Sequence, residues 1–177
     1  MTFEPALGHA LLAVVALDRI AEMVASSANV RRLVTRGGVV ARGDGTTSLV
    51  VFHVLWFAAV LSENLFLDAR PFASPAALAL LGIVTLVAAM RGWVLWTLGR
   101  RFTIRVVVVP GEQPIDRGPY RFLRHPNYLV VVAELLFLPL LLGAWRTAIV
   151  GSLLHLPLLR RRIRCEEAAW RAIGARP

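Results

Sequence analysis

The sequence predicts an all-α, polytopic membrane helix bundle with about five transmembrane helices, formed by one integral-membrane domain of residues 1–177. Apolar residues make up 57% of the chain, and its mean hydropathy of +0.64 is well above that of ordinary soluble proteins. Five apolar blocks alternate with polar links that differ strongly in arginine content. The expected spans cover residues 7–24, 49–67, 75–98, 128–142 and 147–159.

The charge of the chain indicates a membrane partner rather than a nucleic acid. A net charge of +9 by itself would be compatible with nucleic-acid binding. The arginines instead flank apolar spans, and no soluble basic domain is evident, so we expect no nucleic acid. The single cysteine, Cys165, excludes an intramolecular disulfide, so helix packing has to hold the fold together.

The first span carries Asp18, Arg19 and Glu22 in its expected last turns. Asp18 and Glu22 share one helix face, and they form either a self-paired helix end at the interface, which we favour, or a wall of a polar site. A polar link at residues 26–48 follows, with four arginines and two glycine-containing breaks. Its first half could form a short amphipathic helix on the membrane surface.

The second span has polar interruptions at His53 near its start and at Glu63-Asn64 near its end. A single histidine in an apolar helix is more commonly a hydrogen-bonded packing residue than a ligand. The third span contains Arg91 near its far end, where an arginine can extend towards the lipid headgroups. The β-branched run RFTIRVVVVP, residues 101–110, is too short to cross a membrane and predicts an extended segment.

The distribution of arginines predicts the orientation of the chain. The first link has four, the loop at residues 99–127 has six, and the tail at residues 160–177 has six of the twenty arginines. Because arginine-rich links remain on the cytoplasmic side, five spans place the N-terminus outside and the C-terminus in the cytoplasm. The central loop and the tail then meet on the same side of the membrane.

The stretch RGPYRFLRHPNY, residues 117–128, connects two apolar blocks. Gly118 and Pro119 favour a turn, and Pro126 suits the first turn of the following helix. The free N–H groups and positive dipole end of that helix would face a cluster of arginines, which predicts an anion site. The simpler alternative is a cytoplasmic anchoring loop, since arginines beside membrane spans are common.

Three carboxylates could oppose this basic loop. Glu134 lies one heptad after Asn127, and a carboxylate two turns inside a bilayer usually faces the bundle interior with a partner, so we expect it to be functional. Glu166 and Glu167 belong to the tail, which should continue as a helix. They form either exposed ion pairs with nearby arginines or acidic partners for the loop.

No Ser-His-Asp set, Cys/His metal spacing, P-loop or GxGxxG motif is present, so no metal site is expected. A charged cluster at a helix start that opens onto apolar helices suits a polar cofactor from the cytoplasm and an amphiphile from the membrane. GPYRFLRHPNY before the penultimate span, followed by an arginine-bearing helix end and a Glu-Glu pair, resembles the isoprenylcysteine carboxyl methyltransferase family. The resemblance is specific over residues 117–167, and the wider relatives are membrane phospholipid methyltransferases.

This resemblance implies an integral-membrane O-methyltransferase in which the loop and the C-terminal helix enclose S-adenosylmethionine. A lipophilic small-molecule acceptor would enter between the helices. By resemblance, the cofactor-binding residues are Tyr120, His125, Pro126, Asn127, Tyr128, Glu166 and Glu167. Arg124 and Arg162 are candidates for the anionic group of the acceptor and, together with Glu134, form the candidate catalytic set.

The chemistry of the acceptor stays open at this point. A carboxylate acceptor needs only an arginine to orient it, whereas a phenol or enol needs a base, for which His125 or Glu134 are candidates. Two other functions compete. A related RHxNY element occurs in NADPH-dependent membrane reductases of sterols and enones, and a non-catalytic scaffold could bind anionic lipids through its arginines. The expected location is a bacterial plasma membrane, with the active site facing the cytoplasm.

Overall fold

The computed structural model describes residues 5–67 and 74–175. Within these residues the chain forms five α-helices, which confirms the prediction of an all-α fold. The helices are α1 (Pro5–Thr35), α2 (Thr46–Phe66), α3 (Ser74–Leu98), α4 (Pro126–Leu141) and α5 (Trp145–Ala172). The other regular elements of the described chain are two 3₁₀ turns (Gly99–Arg101 and Gly118–Arg121) and two strands, β1 (Val39–Val40) and β2 (Val107–Val108).

Helix α1 is longer than predicted. It runs unbroken for 31 residues, so the stretch after residue 24 continues α1, and the prediction of a separate surface helix there is wrong. The polar stretch after the apolar block contains no glycine or proline, and the helix ends only before Gly37, whose φ is +84°. Polar residues of this extension also find partners: Ser26 accepts a hydrogen bond from the Ile104 amide at 2.8 Å, and Asn29 donates to the Phe102 carbonyl at 2.8 Å.

Of the helices in the described residues, α2 and α3 are long and apolar enough to cross a membrane. Their 21 and 25 residues give lengths of about 32 and 38 Å at 1.5 Å per residue. In each apolar stretch only 17% of the residues are buried inside the protein, so most apolar side chains face outward, as expected for contact with lipid. Helix α4 is apolar but short, as predicted. The link between the second and third predicted spans, residues 68–74, lies outside the described residues, apart from Ser74.

The core lies where α2, α4 and α5 meet, with α1 against one side. Its buried members are Leu12, Trp56, Val60, Leu135, Leu138, Leu142 and Ala144. Gly151 on α5 allows this close approach, because a Cβ atom there would lie 2.7 Å from Cδ1 of Trp56. His53 behaves as a packing residue: its Nδ1 lies 2.7 Å from the Leu49 carbonyl, and its ring meets that of buried His155 edge-on.

Charged residues of three helices form a cluster inside the bundle. Arg91 of α3 makes a bidentate contact with Glu22 of α1 and donates to Glu134 of α4 at 3.0 Å. Arg19 lies 3.1 Å from Glu22 and 3.6 Å from Glu134. Because α1 runs from Pro5 to Thr35, Arg19 and Glu22 lie in its middle rather than at a helix end. Each charge that would be costly in an apolar environment has an opposite partner.

At one end of the bundle, Glu63 of α2 caps the first turn of α5. Its buried carboxylate accepts hydrogen bonds from the amides of Arg146 (3.1 Å) and Thr147 (2.8 Å) and from the Thr147 hydroxyl (2.7 Å). These donors belong to a helix N-terminus, where a negative charge is favourable.

Substituting Glu63→Gln is expected to lower the free energy of unfolding by about 2 kcal/mol, because the charge and one strong acceptor are lost. Thermal unfolding in detergent, followed by circular dichroism, measures the effect. Ser62→Ala, at the adjacent exposed position, is the matched control and should be neutral. Equal melting temperatures for Glu63→Gln and the wild type would refute the capping role.

The predicted extended segment after α3 does form extended structure. Strand β2 pairs with β1 in antiparallel register, with Val39 opposite Val108 and Val40 opposite Val107. Val106 and Val108 are buried, so this segment packs against the protein. The ribbon ties the link after α1 to the loop after α3 at the end of the bundle opposite Glu63.

Candidate functional site

A cavity of about 530 Å³ opens at this second end of the bundle. It lies among the last turns of α1, α3 and α5, the start of α4, and the loop that contains β2. Eight of the ten residues predicted from the sequence line it: Tyr120, Arg124, His125, Asn127, Tyr128, Arg162, Glu166 and Glu167. The remaining wall is partly apolar, with Leu33, Leu98 and Phe102 among its members.

The shape of the loop at residues 117–128 follows from its glycine and prolines. Gly118 has φ +59°, and a Cβ atom there would lie 2.5 Å from Thr97 Oγ1, so only glycine fits against α3 at this point. A single 3₁₀ turn then brings Tyr120 to the cavity. Pro126 is the first residue of α4 and is fully buried, so it supports the site from behind rather than lining it.

His125 and Tyr128 form the wall that faces α5. Their rings stack with centroids 5.4 Å apart, and His125 Nε2 lies 3.7 Å from Glu167 Oε1. The Tyr128 hydroxyl donates a hydrogen bond to Glu166. On the α5 side, residues 162 and 166 are one helical turn apart, so both can approach Tyr128 from the same helix face. The loop and the tail helix therefore meet through a histidine, a tyrosine and two glutamates.

Arg162 is buried, and its donors are engaged inside the protein. It forms an ion pair with Asp44 at 3.1 Å, and it donates to the Asp44 carbonyl, the Thr46 hydroxyl and the Ile104 carbonyl. Its Nε donates to the Tyr128 hydroxyl at 3.3 Å. A guanidinium with these partners has little capacity left for an incoming anion, so the expected contact of Arg162 with an acceptor is not supported.

Two polar side chains of the cavity, Asn127 and Tyr120, have hydrogen-bonding capacity left unused by the described residues. The side-chain oxygen Oδ1 of Asn127 is buried and makes no hydrogen bond with any described residue. Burial and the neighbouring Glu166 carboxylate raise the pKa of Tyr120, so its phenol stays protonated and can donate. Glu166 and Glu167 add acceptor oxygens. The cavity therefore contains several hydrogen-bond acceptors and one neutral hydrogen-bond donor.

Sequence comparison assigns the chain to a family. Residues 79–172 match the isoprenylcysteine carboxyl methyltransferase (ICMT) family, and this range covers more than half of the chain, including every predicted site residue. The protein belongs to this family. The match begins in α3 and ends with α5, so the cavity walls from α3, α4 and α5 are all within it.

Two similar proteins extend the likeness towards the first helix. An uncharacterized protein of Bacillus subtilis, YpbQ, is 31% identical over 159 residues, which cover 90% of this chain and 94% of the relative. An uncharacterized protein of Haemophilus influenzae is 30% identical over 141 residues, covering 78% of this chain and 80% of the relative. No solved structure matches the chain at a significant level. The ICMT family is membrane-embedded and has methyltransferase activity, which fits the apolar exterior described above.

Sequence reasoning missed an ion-pair group at the rim of the cavity. Glu112 accepts a hydrogen bond from Arg36 at 2.6 Å and lies 2.9 Å from Arg101. It also missed the ion pair of Asp44 with Arg162. In the sequence, Asp44 is recognisable only as part of a glycine-rich break. Acidic residues are scarce in the arginine-rich links of this ICMT-family chain. That scarcity was the available signal that these acidic residues form ion pairs, since each of them has several arginines nearby in the sequence.

Glu134 does not line the cavity. Its carboxylate pairs with Arg91 and Arg19, two turns along α4 from Asn127. The expectation that it faces the bundle interior with a partner agrees with this position. The expectation that it belongs to the candidate catalytic set has no support from the geometry, because its partners are structural and lie outside the lining of the cavity.

Proposed function

We propose that this ICMT-family protein is an integral-membrane, S-adenosylmethionine-dependent O-methyltransferase that acts on a lipophilic small molecule. The acceptor oxygen belongs to a carboxylate, phenol or enol. The observation that carries this proposal is the joining of two distant segments, the HPNY stretch and the Glu166-Glu167 pair, across one cavity at the end of an apolar bundle. A cofactor of mixed polarity and an apolar acceptor can both reach that point.

The cavity suits the polar groups of S-adenosylmethionine. The unpartnered Asn127 oxygen can accept from an amino group, such as that of the adenine ring. Glu166 and Glu167 can accept from ribose hydroxyls or from the cationic amino group, and Tyr120 can donate to an oxygen of the ligand. The positions of these groups therefore support Tyr120, His125, Asn127, Tyr128, Glu166 and Glu167 as the proposed cofactor-binding residues, with Pro126 fixing the start of α4.

Bound S-adenosylmethionine supplies a sulfonium methyl group that is open to in-line attack by an oxygen nucleophile. The residues of the chain have to align the two partners and keep water away, which are the main sources of rate enhancement for such a transfer. Arg124 lines the cavity, is exposed, and makes no ion pair with another described residue, so it is the proposed contact for an anionic acceptor. His125 is the proposed base for a phenol or enol acceptor.

We also propose five membrane spans, with the N-terminus outside and the cavity on the cytoplasmic side of a bacterial plasma membrane. The ends of α1, α3 and α5 and the starts of α2 and α4 gather near the cavity, which supports an up-and-down order of five helices in one domain. Glu63 and the start of α5 mark the opposite end. Arginines concentrate at the cavity end, as cytoplasmic links do.

Titration of the purified protein with S-adenosylhomocysteine, with NADPH in parallel, tests the proposed function. We expect saturable binding of S-adenosylhomocysteine alone. Replacing His125 with alanine should weaken it by about tenfold, or 1.4 kcal/mol, because the ring that stacks on Tyr128 and faces Glu167 is lost. His9→Ala, on α1 and outside the cavity, is the control. Binding of NADPH alone would indicate a reductase instead, and binding of neither would favour a lipid-binding scaffold.

A further inference from the structure

We infer that Asp44 is a positioning residue of the cofactor site, acting through Arg162 and Tyr128 on the Glu166 carboxylate. This inference rests on the proposed function. Asp44 lies in the link between α1 and α2, outside the residues matched by the family, and it does not line the cavity. Its influence therefore has to pass through other side chains.

The Asp44 carboxylate is itself held firmly. One oxygen accepts from the Thr46 amide at 3.1 Å, and the other accepts from the Thr46 hydroxyl at 2.8 Å and the Val106 amide at 3.0 Å. Burial alone would raise the pKa of Asp44, but these hydrogen bonds and the Arg162 charge outweigh it and lower the pKa. The group is therefore a fixed anion that joins the start of α2 to the segment containing β2.

Arg162 transmits this position because its guanidinium has a single arrangement. Nη1 meets Asp44 and Thr46, Nη2 meets the Ile104 carbonyl, and Nε is left pointing at the Tyr128 hydroxyl at 3.3 Å. The planar guanidinium fixes the direction of all five N–H bonds together. Holding one edge with Asp44 therefore aims the other edge at Tyr128.

The direction of the last hydrogen bond follows from donor and acceptor counting. Arginine can only donate, so the Tyr128 oxygen accepts from Arg162 and its one proton is free to point elsewhere. That proton goes to Glu166. The Glu166 carboxylate is thereby held at the cavity wall with its remaining lone pairs available for a ligand. Removing the anion at Asp44 would take away the ion pair of Arg162 and so loosen this ordered chain.

A double-mutant cycle in the full-length protein, with S-adenosylhomocysteine as the probe, tests the inference. Asp44→Asn and Tyr128→Phe are each expected to raise its Kd by about tenfold, and the double variant by about tenfold rather than a hundredfold, because both break the same chain. Thr46→Ala, which keeps both charges, should raise the Kd by a smaller factor and also show coupling to Tyr128→Phe. It serves as the second variant if Asp44→Asn does not fold.

Glu63→Gln is the control for a purely structural effect, since it should lower the melting temperature and leave the Kd unchanged. The inference is overturned if the wild type binds and Asp44→Asn binds equally well, or if the losses of Asp44→Asn and Tyr128→Phe multiply. Absence of binding by the wild type would instead overturn the proposed function, and the inference with it. The two failures are therefore distinct.

Discussion

Replacing Arg91 with methionine is expected to lower the free energy of unfolding by about 3–5 kcal/mol, the typical cost of removing one member of a buried ion cluster. Arg91 is buried and is the shared partner of Glu22 and Glu134. Without it, two carboxylates would face each other in an apolar interior with only Arg19 to balance them. Thermal unfolding in detergent measures the loss, and Arg31→Met on the exposed face of α1 is the control.

Variants of the same cluster distinguish a structural role of Glu134 from a catalytic one. The triple variant Arg91→Met, Glu22→Gln and Glu134→Gln removes both carboxylates along with Arg91 and leaves Arg19 paired with Asp18, so we expect it to regain much of the stability lost by Arg91→Met alone. Glu134→Gln by itself should leave the Kd for S-adenosylhomocysteine unchanged. A variant of normal stability that had lost methyl transfer would return Glu134 to the catalytic set.

The substitution Asn127→Leu is expected to weaken S-adenosylhomocysteine binding by about tenfold to a hundredfold, which is the usual cost of losing a buried hydrogen bond to a ligand. The reason is the buried Asn127 oxygen, which has no partner among the described residues. An apolar side chain of similar size also removes the cost of burying that oxygen. The melting temperature of the unliganded protein should therefore stay level or rise.

Calorimetric titration together with a melting curve gives both readouts for Asn127→Leu. Asn64→Leu on α2, which loses only a hydrogen bond to the Val60 carbonyl, is the matched control and should leave the Kd unchanged. Unaltered affinity in a folded Asn127→Leu protein would show that the orphan oxygen does not meet the ligand. Lower affinity with a lower melting temperature would indicate a general loss of packing instead.

Local patterns predicted most of the helices but not their long-range pairings. Helices α2, α3 and α4 lie where continuous apolar blocks predicted them, because glycines and prolines mark most of their ends. The polar stretch after residue 24 was expected to leave the helix but continues α1, since polar residues such as Ser26 and Asn29 change the partners of a helix without breaking it. Propensity alone cannot show that these side chains satisfy a distant loop.

In the candidate site, too, the sequence could predict local groupings but not the long-range contacts. His125, Asn127 and Tyr128 follow one another in the chain, and Glu166 lies one helical turn from Arg162, so sequence spacing could group them. The contacts of Arg162 with Asp44 and of Glu134 with Arg91 join residues far apart in sequence. Which of the many arginines pairs with each carboxylate depends on how the helices are arranged in space. That arrangement follows from packing of the whole bundle and has no local signature.

The cavity is built from parts of the chain that leave the ribosome at different times. The loop and the start of α4 are made before Glu166 and Glu167, which follow near the far end of α5. A nascent chain therefore carries His125 and Tyr128 without the glutamates that contact them until α5 has been synthesised and has packed against α2 and α4. The cavity is complete only at this last step, so the proposed binding of S-adenosylmethionine would report on completion of the bundle.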